Sequence, residues 1–392
     1  MATIAAGLLV SLAALSCSTD LDCSLNGECH ASACRCDDAW RGPRCSTMNL
    51  LPPQRLSGLR SVDDGRNTSS WGGSVIYAPE DKQWHMFAAE MVHHCGIDSW
   101  MENSRIIHAV SATALGEYTR AGQVFPPFAH EPDVIRDENG NYVLFYTRRM
   151  HAPNSTQVPC HCSDGSTPHS TCKGAKYQWD HDPTYYAVAT TPWGPWTNQT
   201  MILAAQPEVD NNFAAVILAN GSLVGFKRRY VTSPEPPAVG NGSRLHLVTA
   251  TDWRDPATYV ARTEELFPAM ADMGAEDPFL YMDAKGRFHA VVHNMNPCPQ
   301  WPCPAVAGGH AFSEDGVQWH YSGVAFNSSG YFNDGTPFSF SRRERPHVIQ
   351  GSQRELLAVT SGVQYGMANG DATYTSLQPV VAGKRNSRLG TS

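Results

Sequence analysis

The chain has 392 residues, and its 29 Lys and Arg against 37 Asp and Glu give a formal net charge of -8. Charged residues make up 17% and hydrophobic residues 42% of the chain, which excludes intrinsic disorder, because disorder needs low hydrophobicity and high charge. The acidic balance also excludes the basic surface typical of nucleic-acid-binding proteins, so we expect no nucleic-acid partner. The 32 Gly and 27 Pro indicate a turn-rich globular protein built from strands.

Residues 1–16 form an apolar segment that ends in small residues just before Cys17. This pattern predicts a secretory signal peptide, although no Lys or Arg precedes the apolar run. A buried N-terminal helix is the alternative, and the run is too short to span a bilayer. No later apolar run approaches the length of a membrane span, so we expect a secreted, extracellular protein without a transmembrane anchor.

Six cysteines are crowded into the next segment of the chain: Cys17, Cys23, Cys29, Cys34, Cys36 and Cys45. Closely spaced, even-numbered cysteines behind a signal peptide predict a disulfide framework, because so small a module cannot bury enough surface to fold without cross-links. A zinc site is the alternative, and the oxidising compartment disfavours it. Spacing alone leaves about fifteen disulfide pairings open.

Together with Asn26-Gly27, Trp40 and Gly42, this spacing resembles an EGF-like module over residues 17–47. The resemblance implies three disulfides, Cys17–Cys29, Cys23–Cys34 and Cys36–Cys45. It implies no calcium site, because the acidic residues that precede the first cysteine of calcium-binding modules have no counterpart here. We expect a Pro-containing linker over residues 48–64 and a second domain over residues 65–392.

Six N-x-S/T sequons predict exposed loops that carry N-linked glycans: Asn67, Asn154, Asn198, Asn220, Asn241 and Asn327. Six further cysteines follow the module: Cys95, Cys160, Cys162, Cys172, Cys298 and Cys303. Cys298 and Cys303 are close enough to predict a local disulfide, whereas the pairing of the other four is open. A metal site around Cys160 and Cys162, with His161 between them, is the alternative that an oxidising compartment disfavours.

From about residue 65 onward, short strand-like segments recur and are joined by Asn-Gly and Asp/Gly turns. Hairpins begin near residues 74, 133, 214, 277 and 347, and each interval contains a second pair of strands. Four short strands per interval, repeated five times, predict an all-β fold, namely a five-bladed β-propeller. A two-sheet sandwich is the alternative, and it would not explain five matched hairpins.

Four motifs follow one another in the propeller region: IHAVSAT at 107–113, HEPDVI at 130–135, ATTPWGPW at 189–196 and AEDPF at 275–279. Together they resemble the arabinanase-like five-bladed propellers of glycoside hydrolase family 43, over about residues 65–365. The resemblance implies a secreted enzyme that acts on furanosides or xylosides of a polysaccharide or glycan. We expect no cofactor and no metal, and we expect a monomer.

The starts of the innermost strands meet at the axis of a propeller, and acids there can act together. Glycoside hydrolysis needs a carboxylic acid that protonates the leaving oxygen and a carboxylate opposite it, about 6.5–9.5 Å away in an inverting enzyme. Family 43 enzymes are inverting, so the resemblance implies this arrangement. We assign Asp133 as the general base and Glu276 as the general acid, with burial and the neighbouring Asp277 raising the pKa of Glu276.

Further polar and aromatic residues at the strand starts are candidates for binding substrate: Trp71, His130, Asn212, Glu344, Arg345 and His347. Arg345 and His347 would contact sugar hydroxyls or keep an acid ionised, and Trp71 or Trp100 would stack on a sugar face. His289 and His293 could suggest a metal, but histidines in strands more often pack and form hydrogen bonds.

Two blades depart from the family 43 pattern. Residues 69–74 of the first blade contain no acid, and the third blade has Asn211-Asn212-Phe213 where the Glu is expected. Either the catalytic set has shifted or it has been lost, and Asp63, Asp64 and Asp210 are close enough in sequence to supply missing acids. Acids at strand starts also serve as turn residues. The second hypothesis is therefore a non-catalytic propeller that binds carbohydrate or mediates adhesion.

Overall fold

The computed structural model describes residues 16–55, 57–60, 69–93, 95–149, 161–162, 182–204, 211–230, 243–268, 274–294, 308–365 and 373–382. Within these ranges the chain is almost entirely strand and turn, and its one α-helix is α1 (Trp100–Asn103). Three short 3-10 helices occur at Asp20–Cys23, Ile97–Ser99 and Pro256–Thr258. No helix in the described part of the chain has the length and apolarity that a bilayer span requires.

The N-terminal module contains four short strands, β1 (Gly27–His30), β2 (Ala33–Cys36), β3 (Trp40–Arg41) and β4 (Thr47–Met48). They pair as two antiparallel hairpins, β1 with β2 and β3 with β4. Disulfides join Cys17 to Cys29, Cys23 to Cys34 and Cys36 to Cys45, which confirms the pairing implied by the EGF-like resemblance.

Five sheets follow the module and form five blades. Blade 1 contains β5 (Leu59–Arg60), β6 (Ser69–Ala78), β7 (Gln83–Met91), β8 (Ser104–Ser111) and β9 (Tyr118–Phe125). Blade 2 contains β10 (Ala129–Arg136), β11 (Tyr142–Arg148), β12 (Thr184–Ala189) and β13 (Thr197–Leu203). Blade 3 contains β14 (Ala214–Ile217), β15 (Leu223–Tyr230), β16 (Ser243–Ala250) and β17 (Val260–Glu265).

The last two blades complete the ring. Blade 4 contains β18 (Ala275–Met282), β19 (Phe288–Asn294), β20 (Gly308–Ser313) and β21 (His320–Phe326). Blade 5 contains β22 (Ser329–Tyr331), β23 (Pro337–Gln350), β24 (Leu356–Tyr365) and β25 (Tyr374–Pro379). The five hairpins expected from the sequence are β6–β7, β10–β11, β14–β15, β18–β19 and β23–β24, so the all-β five-bladed propeller is confirmed.

The turns between the first two strands of a blade are shaped by local hydrogen bonds. In blade 2, Asp137 Oδ1 accepts the backbone N–H groups of Asn139 and Asn141 at 2.9 and 2.7 Å. In blade 4, Asp283 Oδ1 accepts two backbone N–H groups in the same way. Gly140 and Gly286 have φ angles of 84° and 77° in these turns, a conformation that glycine adopts without steric cost. The turn residues thus fix where each hairpin reverses.

The segment expected to be a linker closes the ring instead of standing free. Leu50 bridges Val380 and Gly58 bridges Ser376, so this segment runs antiparallel beside β25 in blade 5. It then adds β5 in parallel to β9 of blade 1. The chain segment that follows the module therefore joins the last blade to the first. This pairing covers outer strand edges that would otherwise be open to other chains.

Each pair of neighbouring blades encloses an apolar cluster. Phe87 and Leu144 represent the cluster between blades 1 and 2, whereas Phe279 and Val359 represent the one between blades 4 and 5. Clusters of the same kind fill the remaining three interfaces. Trp40 of the module extends the cluster between blades 4 and 5, and its ring lies 4.5 Å from that of His310. The module is therefore packed against the propeller.

Candidate active site

The start of every innermost strand has the same unusual backbone. Five residues, one from each blade, have positive φ angles of 63°, 59°, 45°, 50° and 47°: Gly72, Glu131, Asn212, Asp277 and Arg345. In four blades the strand register shifts at this point, as in a β-bulge. A bulge re-aims a side chain, and here the four side chains meet one another. We call these five residues the axial ring.

The side chains of the axial ring form ion pairs and hydrogen bonds with one another. Arg345 Nη1 lies 2.7 Å from Glu131 Oε1 and 3.0 Å from Asp277 Oδ1. Asn212 Nδ2 donates to the same two carboxylate oxygens at 2.7 Å each. The backbone N–H of Arg345 donates to the other oxygen of Asp277, and Thr147 Oγ1 donates to the other oxygen of Glu131. Two buried carboxylates thus share one guanidinium and one amide.

Blade 1 contributes no polar side chain to the ring. A Cβ atom added to Gly72 would lie 3.1 Å from Cβ of Arg345, so the arginine side chain packs directly over this glycine. The family 43 resemblance places an acid in the first blade and another in the third, whereas the ring has Gly72 and Asn212 there. These two departures remain in the folded chain.

A second group of charged side chains lies at the mouth of the funnel, beside the axial ring. It contains Glu276 and Glu344 from the innermost strands of blades 4 and 5, His293 from β19 and Arg228 from β15. Arg228 Nη1 pairs with Glu276 Oε2, and His293 Nδ1 lies 3.1 Å from Glu276 Oε1. We call these four residues the funnel-mouth cluster. Glu276 and Glu344 are only partly buried.

The two carboxyl groups of the cluster have opposite pKa shifts. Burial raises the pKa of Glu276, but Arg228 and His293 outweigh it and hold that pKa at about 2. Burial raises the pKa of Glu344 to about 7, and the negative charges of Glu276 and Asp277 act in the same direction. Glu344 and Glu276 hold the pKa of His293 at about 9 against the effect of burial. At neutral pH, Glu276 is ionised, His293 is protonated and Glu344 is about half protonated.

Glu276, Asp277, His293 and Glu344 place potential ligand atoms within 4.8 Å of one another, a spacing that could hold a cation. The environment instead favours a proton on His293, because its raised pKa keeps both ring nitrogens protonated at neutral pH. A histidine must be neutral to bind a metal. An ion bound here would therefore displace a proton from His293.

Two of the residues assigned from the sequence lie beneath the axial ring. Asp133 is fully buried, accepts a hydrogen bond from Ser74 Oγ at 3.1 Å, and burial raises its pKa to about 7. His347 is also buried, packs against the Phe279 ring at 4.8 Å, and burial lowers its pKa to about 3. Both side chains are buried, and the roles of Asp133 in activating water and of His347 in contacting sugar stay predictions.

The aromatic candidates are covered as well. Trp71 is 3% exposed and packs against Gly362 and the apolar cluster around Cys95. His130 stacks on Trp100 at 5.0 Å, and its Nδ1 atom lies 2.6 Å from Ser104 Oγ. Trp100 is only partly buried, which leaves it as the aromatic ring nearest to the funnel.

Glu276 does not have the raised pKa that a general acid needs. The sequence argument considered its burial and the charge of Asp277, but it did not anticipate the two cations that contact Glu276. Glu344, assigned only to substrate binding, has the raised pKa instead. The nearest oxygens of these two carboxyl groups lie within 4.8 Å, which is too close for the water that an inverting pair must admit.

Sequence reasoning missed the cations, although one of them had a signal. In the β18–β19 hairpin, His293 lies directly opposite Glu276, so counting back from the Asp283–Gly286 turn would have found it. Arg228 belongs to the second strand of another blade, and no local pattern connects it with Glu276. Glu131, Asp277 and Arg345 are each followed by proline, which is the repeat signal of the axial ring in three blades.

Several predicted sites lie outside the described residues: Asn67, Asn154, Asn241, Cys298, Cys303, Asp63, Asp64 and Asp210. The remaining sequon residues Asn198, Asn220 and Asn327 are all exposed, as glycan attachment requires. Of the four cysteines whose pairing the sequence leaves open, Cys95 and Cys162 form a disulfide.

No protein-family model and no curated protein matches the sequence. Among solved structures, a thermostable family-43 glycoside hydrolase is 13% identical, with 83% of this chain and 96% of that chain covered at a TM-score of 0.50. An endo-arabinase from Bacteroides thetaiotaomicron is 13% identical, with 81% and 95% covered at 0.48. The Bombyx mori GH32 beta-fructofuranosidase is 11% identical, with 84% and 60% covered at 0.48. The first likeness confirms the expected resemblance at the level of the fold.

Proposed function

We propose that this protein is an extracellular glycoside hydrolase in which Glu344 is the proton donor and Glu276 is its ionised partner. The observation that carries the proposal is the opposed pKa shift of two carboxyl groups in one funnel. Such opposed shifts separate the acid from the carboxylate in glycosidases. The fold shared with a family-43 glycoside hydrolase supports a glycan substrate, and the sequence resemblance suggests a furanoside or xyloside.

Glu344 is suited to protonate a leaving oxygen. A general acid works best when its pKa lies near the operating pH, and burial raises the pKa of Glu344 to about 7. Glu276 is suited to the other role, since Arg228 and His293 keep it negative as positive charge develops on the sugar. Its closeness to Glu344 fits attack on the sugar by Glu276 itself, with retention of configuration.

Turnover of a panel of aryl furanosides and pyranosides by the purified full chain tests the proposal. We expect one sugar to be hydrolysed, with kcat/KM falling as the pH rises above about 7 because Glu344 loses its proton. Glu344→Gln and Glu276→Gln should each lower kcat by at least about a hundredfold. Glu314→Gln, on an exposed turn of blade 4, is the matched control and should retain full activity.

The configuration of the first product, followed by NMR, tests the role of Glu276. Retention is expected if Glu276 is the nucleophile, together with a covalent sugar adduct on that residue in mass spectrometry. Inversion would show that water attacks with the help of another base and would remove this role from Glu276. Activity that survives in Glu344→Gln would remove the assignment of the proton donor.

A non-catalytic glycan-binding propeller is the second candidate, and one observation favours it. Arg345 forms ion pairs with both carboxylates of the axial ring, while Gly72 and Asn212 stand where the resemblance expects acids. In that case the folded protein binds oligosaccharides of the panel sugars but turns over none of them. The same panel, followed by calorimetric titration, distinguishes the two functions.

A further inference from the structure

A cavity lies where the module meets blades 4 and 5. It has a volume of about 460 Å³, and its lining includes Arg41 and Met48 of the module, Phe326 of β21, Tyr331 of β22 and Arg343 of β23. None of the lining residues belongs to the axial ring or to the funnel-mouth cluster. This cavity therefore has to be explained separately from the proposed hydrolysis.

Arg343 is the unusual residue of this cavity. It is 6% exposed, and its guanidinium lies over the Phe326 ring at 4.5 Å. Nη1 donates to the backbone carbonyl of Asn327 at 2.8 Å, and Nη2 donates to Gln378 Oε1 at 2.9 Å. Its buried Nε has no hydrogen-bond partner. Two neutral acceptors hold the guanidinium in place, and they leave donors and the whole positive charge unmatched.

None of the described residues that line the cavity is Asp or Glu, so no lining carboxylate balances the positive charge of Arg343. Burial lowers the pKa of Arg343 to about 10, which is the expected consequence of a desolvated cation without an anion. Arg41 adds a second guanidinium from the module and makes only one long hydrogen bond, 3.4 Å from Nε to the carbonyl of Met48. Arginines are retained in such places where they bind carboxylate or sulfate oxygens.

We propose that this cavity binds an anionic sugar residue of a glycan, with its carboxylate or sulfate on Arg343 and Arg41. Tyr331, which is 64% exposed, offers an aromatic face at the rim on which the sugar ring can stack. The module thus completes a binding site that neither domain has alone. This inference holds whether or not the funnel hydrolyses a glycosidic bond, because binding is measured without turnover.

Calorimetric titration of the full chain with three tetrasaccharides tests the proposal. The probes are a galacturonate tetrasaccharide, a sulfated tetrasaccharide and neutral arabinotetraose. Protein from an oxidising bacterial host forms its disulfides and carries no glycan on Asn327, which also lines the cavity. We expect one anionic probe to bind and the neutral probe to bind at least about tenfold more weakly. The probe that binds distinguishes carboxylate from sulfate.

Variants locate the binding. Arg343→Met and Arg41→Met should each weaken binding of the anionic probe, by about tenfold and about threefold. Arg35→Met is the matched control, because Arg35 is an exposed arginine elsewhere on the module. If Arg343→Met fails to fold, the exposed Arg41→Met variant decides alone. Equal binding of neutral and anionic probes, no binding of either anionic probe, or affinity unchanged in the folded variants would overturn the proposal.

Discussion

At the scale of single residues, the funnel-mouth cluster shows how neighbours decide the protonation of chemically identical groups. Glu276 and Glu344 occupy the same position in successive blades, directly before an axial-ring residue. At Glu276 the charges of Arg228 and His293 outweigh the effect of burial, whereas at Glu344 burial outweighs the charges of His293 and Arg342, so the two pKa values move in opposite directions. The balance between burial and the surrounding charges makes the difference.

The raised pKa of Glu344 predicts a pH-dependent stability. A carboxyl group with a pKa of about 7 in the folded chain and about 4.5 when unfolded binds more protons in the folded state, so stability falls between pH 4.5 and pH 7. Glu344→Gln removes this penalty. Relative to wild type, its free energy of unfolding should improve by about 2 kcal/mol between pH 4.5 and pH 8. Denaturant unfolding at both pH values measures this, and a constant offset like that of Glu314→Gln would contradict it.

Arg345 is predicted to hold the axial ring together. Replacing it with Met leaves the carboxylates of Glu131 and Asp277 buried beside each other without a cation. We expect Arg345→Met to lower the free energy of unfolding by about 3–5 kcal/mol at pH 7. Arg262→Met, on the exposed strand β17, should change stability by less than about 0.5 kcal/mol, and a similarly small loss at Arg345 would refute this role.

At the scale of secondary structure, the innermost strands of four blades contain a bulge. The bulge interrupts the alternation of inward and outward side chains and turns one residue per blade into the axial ring. A non-glycine residue in the left-handed region is strained, and the axial-ring residues of four blades have this strained backbone conformation. The contacts within the ring offset the strain, which is why the same backbone recurs with four different side chains.

Gly72 tests the bulge in blade 1. Gly72→Ala introduces both the strain of a φ angle of 63° and a contact of 3.1 Å with the Cβ atom of Arg345. Gly286→Ala is the matched control, because Gly286 has a φ of 77° and open space around its Cβ position. We expect a loss of about 1 kcal/mol at Gly286 and about 2 kcal/mol or more at Gly72, measured by denaturant unfolding. Equal losses of stability in the two variants would show that the Arg345 side chain moves away from the added methyl group at no cost.

At the scale of the whole molecule, stability depends on closing the ring. Every blade is covered on both sides by a neighbouring blade, and the apolar clusters between them form a closed circle. The segment between the module and blade 1 supplies the last contacts, including the buried side chain of Leu59 between blades 5 and 1. Opening this one interface would expose two blade faces at once.

Leu59→Ala should therefore destabilise the propeller as a unit. The lost packing and the cavity left behind predict a decrease of about 2–4 kcal/mol in the free energy of unfolding. Leu51→Ala is the matched control from the same segment, since Leu51 is 42% exposed and should cost less than about 0.5 kcal/mol. Thermal unfolding should remain a single transition at a lower midpoint. If Leu59→Ala has no greater effect than the control, this segment does not close the ring.

The fold was readable from the sequence because its signals are local. Asn-Gly and Asp/Gly turns fix where hairpins reverse, short apolar strands repeat between them, and crowded cysteines mark the module. These features act over a few residues, so their order along the chain is enough to count five blades. For the same reason, the sequence was enough to identify the starts of the innermost strands as the source of the site residues, which include Glu344, Arg345 and Asn212.

The chemistry of the site was decided by tertiary structure. The roles of Glu276 and Glu344 depend on Arg228 and His293, and the ring charge depends on Arg345 meeting two carboxylates from other blades. Asp133 has an equally prominent place in the sequence, and in the folded chain its carboxyl group is buried against Ser74. A pKa depends on charges and burial within a few ångströms, and residues distant in sequence supply both. The sequence alone therefore determined the architecture, whereas only the folded chain decided which carboxyl group carries the proton.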